Sequence, residues 1–234
     1  MMPTGGVESW SSQIGRSSRR ASLTALLLVA TFSSGCAASQ PLILPAEDRA
    51  VVIETEACGA ASGRVGSGVA VGNDLVVTVA HLIVRAGGLS ATPTGGQPQA
   101  AEVVAVDLRR DLAVVRLDGL ALPEVDIATS GPGGTGRIVE AARSGTVPFE
   151  IATFADLRIE EILGSERHTR QGYELVAVTT DGDSGAGAYD EEGRLIGIVF
   201  GRGPADDTTW VTASTEIFDF LETVDSEDTH ELCG

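Results

Sequence analysis

Short apolar runs, each cut off by turn-forming residues, constrain this chain more than any other feature. "AVVIETEA" (50–57), "SGVAVG" (67–72), "LVVTVA" (75–80) and "AAEVVAVDL" (100–108) are rich in β-branched residues. "LAVVRLD" (112–118), "RIVEAA" (137–142), "YELVAVTT" (173–180) and "RLIGIVFG" (194–201) continue the pattern. Runs of this length, separated by turn signals and not by helical segments, predict an all-β sandwich or barrel and argue against βαβ units. Only "STEIFDFLETV" (214–224) predicts a helix, with Ser214 as N-cap and Ile217, Phe218, Leu221 and Val224 at helical spacing.

A chain of 234 residues, 43% hydrophobic, can build a real core in one large domain or two small ones. Its 33 acidic against 16 basic residues give a net charge of −17, which repels phosphate backbones and excludes nucleic acid as a partner class. All of the basic residues are Arg. No ligand cluster suggests a metal or another cofactor.

The first 35 residues predict a signal peptide. Arg16, Arg19 and Arg20 precede the apolar run "ASLTALLLVATF" (21–32), and small residues lead to Cys36. That run falls short of the roughly 20 residues a membrane-spanning helix needs. "SSGC" resembles the lipobox of bacterial lipoproteins, with Ser33 where Leu is usual, and "SRRASL" resembles a weakened twin-arginine signal. Two outcomes follow: lipidation of Cys36, with residues 36–48 as a tether, or simple cleavage. An exported chain keeps disulfides. With Cys36 lipidated, Cys58 and Cys233 are left as a pair, Cys233 lying in the acidic tail 225–234.

"TTDGDSGAGAYDEEGRLIGIVFG" (179–201) begins with a turn almost bare of side chains around Ser184. Such a backbone suits either a tight hairpin or a site where main-chain N–H groups do chemistry. Earlier, "TVAHL" (78–82) puts His81 just after a strand, and "RRDLAVVRL" (109–117) puts Asp111 just before one. The chain order His, Asp, Ser belongs to the chymotrypsin type of serine hydrolase; subtilisins and α/β-hydrolases use other orders. "TVAH", "DLAVV" and "GDSG" each resemble that family's local motifs, and "SGVAVGNDLVVTVAH" is most similar to exported bacterial members, including the HtrA-type branch. The resemblance implies two Greek-key β-barrels with a C-terminal helix over 49–224, peptide or protein substrates, and no cofactor.

It also implies roles. His81 is the general base, since imidazole titrates near neutral pH. Asp111 orients it. Ser184 is the nucleophile, and the N–H groups of Gly182 and Ser184 form an oxyanion hole. Asp107 is the alternative to Asp111, Asp183 is read as loop-shaping, and His168 and His230 carry no motif. Val178 falls at the base of the primary specificity pocket, with Phe200, Gly201 and Arg202 along its wall. An uncharged base disfavours Arg or Lys there, because a buried cation would lack a partner. One departure stands out: Ala186 occupies a position that is glycine in the family, which keeps open a second reading, a surface-anchored pseudo-protease that binds peptides without cutting them.

Overall fold

The computed structural model describes residues 44–58, 62–122 and 124–224. The chain divides into two units, Met1–Gln40 and Pro41–Gly234, and all described residues belong to the second. The predicted signal peptide, Cys36, the acidic tail, His230 and Cys233 lie outside the described residues.

After a short 3-10 turn, Ala46–Arg49, the first sheet is built from β1 (Ala50–Ala57), β2 (Arg64–Gly72), β3 (Leu75–Thr78), β4 (Ala86–Pro93), β5 (Gln99–Ala100), β6 (Glu102–Asp107) and β7 (Leu112–Arg116). A one-turn helix α1 (Ala80–Ile83) separates β3 from β4. The strand order is β5-β4-β1-β2-β3-β7-β6. Its edge strands β5 and β6 are separated by a single residue, so the sheet must curl to bring its edges together as a half-barrel. Asn73 and Asp74, both at positive φ (53° and 60°), make the two-residue connection from β2 to β3, the turn hairpins favour because it matches strand twist.

The second sheet comprises β8 (Thr135–Glu140), β9 (Gly145–Glu160), β10 (Arg167–Val176), β11 (Gly187–Asp190), β12 (Leu195–Arg202) and β13 (Thr208–Ala213). It closes into a barrel in the order β10-β13-β12-β11-β8-β9. Ile138, Phe149, Ile151, Tyr173, Leu175 and Val211 fill it. Helix α2 (Ser214–Leu221) then crosses back, and its Ile217 and Phe220 join the apolar cluster of the first sheet with Val69, Val77, Val114 and Leu117. The last element thus ties the two halves together. Ala213, and not Ser214, is the N-cap, because the Ser214 hydroxyl is drawn away to donate to the Ala128 carbonyl at 2.7 Å.

Candidate active site

β3 ends at Thr78, and the chain then winds into α1, which presents His81 beside the start of β7. Asp111 stands there in the left-handed region (φ 53°). Its Oδ1 accepts the backbone N–H of His81 at 2.9 Å, and its Oδ2 lies 2.9 Å from His81 Nδ1. One carboxylate therefore fixes both the main chain and the ring of the histidine. The Asp111 carbonyl accepts the Ala80 N–H at 3.2 Å, and the Arg64 guanidinium donates to the His81 carbonyl. Asp111 is buried while the His81 ring is partly open to solvent, so Nε2 remains available. Asp107 is occupied otherwise: it caps the turn at Arg109 and Arg110 and pairs with the Arg110 guanidinium at 2.7 Å. His168 lies on β10, 3.9 Å from Glu166.

Ser184 sits on the turn between β10 and β11. The Ser184 carbonyl accepts the Ser67 N–H at 2.8 Å, and the Ser67 hydroxyl donates to the Gly182 carbonyl at 3.0 Å, so β2 holds the loop from below. Gly182 (φ 99°) and Gly185 (φ 86°) adopt conformations that other residues rarely take. A Cβ on Gly185 would also collide with the Ser67 carbonyl and lie 2.7 Å from Thr78 Oγ1. The Gly182 and Ser184 N–H groups donate to no acceptor within the described residues. Ala186 is fully buried in the second barrel, its N–H bonded to the Asp183 carbonyl at 2.8 Å, and it is not among the residues at positive φ. Its methyl group therefore costs no backbone strain.

Asp183 is almost wholly buried, with Oδ2 accepting the Thr180 N–H at 2.7 Å and the Arg143 guanidinium at 2.6 Å. Burial raises its pKa above the ordinary carboxylate value, the Thr180 N–H lowers it, Glu140 raises it, and Arg143 lowers it. Arg143, on the turn from β8 to β9, also reaches Glu140 and the Thr180 hydroxyl. No sequence motif singled out Arg143 or Ser67, because the partners that tie them to the Ser184 loop, Asp183 for Arg143 and Gly182 for Ser67, lie 40 and 115 residues away along the chain.

No hydrogen bond joins Ser184 Oγ to the His81 ring. Val178 is 58% exposed, Phe200 is half-buried, Gly201 faces open space, and Arg202 is exposed and paired with Asp181 at 3.1 Å. A groove of about 380 Å³ lined by Val71, Leu75, Val125, Ile217 and Phe218 lies elsewhere and contains no member of the His81, Asp111 and Ser184 set. Among the described residues no cluster of His, Cys, Asp or Glu suits a metal, and no helix is long and apolar enough to cross a membrane.

Known proteins resemble this chain in sequence and fold. Serine protease Rv3671c of Mycobacterium tuberculosis is 28% identical over 187 residues, covering 76% of this chain and 47% of its own length. The chain therefore spans about half the length of the curated relatives it matches. The crystal structure of the active form of the Rv3671c protease superposes with a TM-score of 0.73 at 24% identity, covering 80% of this chain and 85% of that one. An HtrA-type protease, AlgW with a tripeptide, gives 0.64 at 18% identity, covering 76% and 60%. Both superpositions identify the fold. The model of the trypsin-like peptidase domain matches residues 66–198, from within β2 to within β12, and on that match the chain belongs to the trypsin-like peptidase family.

Proposed function

We propose that the chain is a serine endopeptidase acting through His81, Asp111 and Ser184. The observation that carries this reading is the double grip of Asp111 on His81, with both distances at 2.9 Å, facing a loop whose Gly182 and Ser184 N–H groups are uncommitted. Ser184 Oγ attacks the scissile carbonyl carbon as its proton passes to His81 Nε2, and the negative charge forming on the carbonyl oxygen is met by the two N–H groups. Asp111 holds the ring by Nδ1 and stabilises the imidazolium without taking the proton. Collapse of the tetrahedral species expels the amine, which takes that proton. Water then attacks the acyl-enzyme, giving its proton to His81, which returns it to Ser184 as the acid product leaves.

The absent hydrogen bond between Ser184 and His81 favours the second reading, a peptide-binding pseudo-protease. Unliganded sites often hold such bonds long until substrate arrives. A fluorophosphonate probe decides: wild type should be labelled at Ser184, and Ser184→Ala should lose both labelling and peptide cleavage, the latter by roughly 10⁵-fold or more. An unlabelled, inert wild type that still binds a peptide establishes the pseudo-protease.

Substrates are peptides or proteins with an uncharged residue at the primary pocket, since Val178 supplies no carboxylate and the Arg202 charge is matched by Asp181. The basic and apolar leader preceding Cys36 supports export and lipid anchoring, with membrane fractionation of Cys36→Ser as the check: the variant should be released, and its retention overturns the anchor. A Cys58–Cys233 disulfide completes the reading. It is supported by chain position: Cys58 directly follows β1, and Cys233 lies in the chain beyond α2.

A further inference from the structure

Arg170 on β10 is a buried cation that the proposed reaction does not use. It is 2% exposed. Its Nη1 donates to the carbonyl of Arg110, the residue just before Asp111, and its guanidinium carbon lies 4.0 Å from the centroid of the Phe200 ring. Nε and Nη2 have no partner among the described residues. A charge placed out of water with one backbone bond and an aromatic face is costly unless something nearby benefits from its field.

The surrounding carboxylates are already engaged. Asp107 holds Arg110 at 2.7 Å. Glu216 on α2 accepts from Arg110 Nε at 2.8 Å and from the Gln171 N–H at 2.7 Å. Both Asp111 oxygens serve His81. Arg110 is thus offset by two carboxylates, whereas Arg170 has no direct counter-ion. The Arg64 guanidinium on β2 donates to the His81 carbonyl. Burial lowers the Arg170 pKa, and Asp111, ahead of Glu216 and Asp107, raises it. Asp111 meanwhile holds an unfavourable left-handed conformation, so the peptide leading into it must be restrained.

We propose that Arg170 is a positioning residue for the His81–Asp111 pair: its bond to the Arg110 carbonyl pins the turn that presents Asp111, and its buried charge opposes protonation of His81, keeping the imidazole neutral to lower pH. The second barrel thereby tunes a base carried by the first. The proposal rests on reading His81 as that base.

The test is the His81 ring pKa, followed by NMR in the full-length Ser184→Ala protein with and without Arg170→Met. The chain has only three histidines, and His168, two residues from Arg170 on the same strand, reports local damage. Loss of the buried cation should raise the His81 pKa by about half to one unit. In the Ser184-containing enzyme, the acid limb of kcat/KM should move up by the same amount. Arg170→Lys, which keeps the charge, should leave the pKa in place while lowering kcat. A folded Arg170→Met protein whose His81 titrates as in its parent overturns the proposal. Should Arg170→Met fail to fold, Arg170→Gln carries the same comparison; failure of both while Arg170→Lys folds assigns Arg170 to stability alone and also overturns it. A protein that cuts no peptide still yields the titration, so failure of the peptidase reading is read separately.

Discussion

At the scale of single residues, Asp183 shows a conflict between stability and loop geometry. Burial raises its folded pKa above the unfolded value, so folding favours the protonated carboxyl. The stability this contributes is fully present below the unfolded pKa and is lost as pH rises through the folded one. The ionised group is nonetheless the one that grips Arg143 and the Thr180 N–H, and through them the loop carrying Gly182 and Ser184. Asp183→Asn should therefore be at least as stable as wild type near neutral pH, with the difference vanishing as pH falls below the ordinary carboxylate range. Its kcat/KM should nevertheless fall, and Arg143→Ala, which removes the offsetting cation, should fall with it. Both losses should be roughly 10-fold to 100-fold, short of deleting an oxyanion donor outright. Melting curves against pH and kinetics on one peptide substrate check this. Two variants with wild-type activity would show that the loop holds its shape without the pair.

At the scale of elements, the strands most legible in the sequence were those buried on one or both faces. β1 runs over the residues its β-branched composition marks, Ala50 to Ala57, and β12 and β7 depart from expectation only at their ends. β9 escaped notice although it is 16 residues long, because "GTVPFEIATFADLRIE" leaves most of its side chains exposed and contains a proline, which depresses any strand signal. β4 begins with Ala-Gly-Gly, and β13 is threonine-rich behind a polar turn. The stretch "LVVTVA" reads as one strand, yet its last residues turn into α1, since Val84 N–H bonds back to the Ala80 carbonyl at 2.9 Å. His81 depends on that turn. The motif residues were legible because each site segment keeps its chemistry within a few neighbours. Arg143, Arg170 and Ser67 were not, because each acts across 37 to 115 residues of chain and no local pattern announces such a partner.

At the scale of the whole molecule, a net charge of −17 works against compaction through self-repulsion, and the fold must answer it with contacts between its ends. Part of the answer is α2, whose Ile217 and Phe220 return from the end of the second barrel to the core of the first. The proposed Cys58–Cys233 bond would add a covalent one, since Cys58 follows β1 directly and the chain beyond α2 leads to Cys233. For a loop that encloses nearly the whole domain, the chain-entropy model gives roughly 5 kcal/mol as a ceiling that real bonds often miss. Half of that corresponds to a melting shift of about 5–10 °C for a domain of this size. Under non-reducing conditions, mass mapping of the protein should recover a linked Cys58–Cys233 peptide, and reduction should lower the melting temperature by that amount while leaving the His81–Asp111 geometry and activity at 25 °C intact. A Cys58–Cys36 peptide would instead exclude lipidation of Cys36 and the clamp together. Free thiols at both positions, or a covalent dimer through Cys233, would leave the docking of α2 as the contact that holds the first strand and the last helix in one domain.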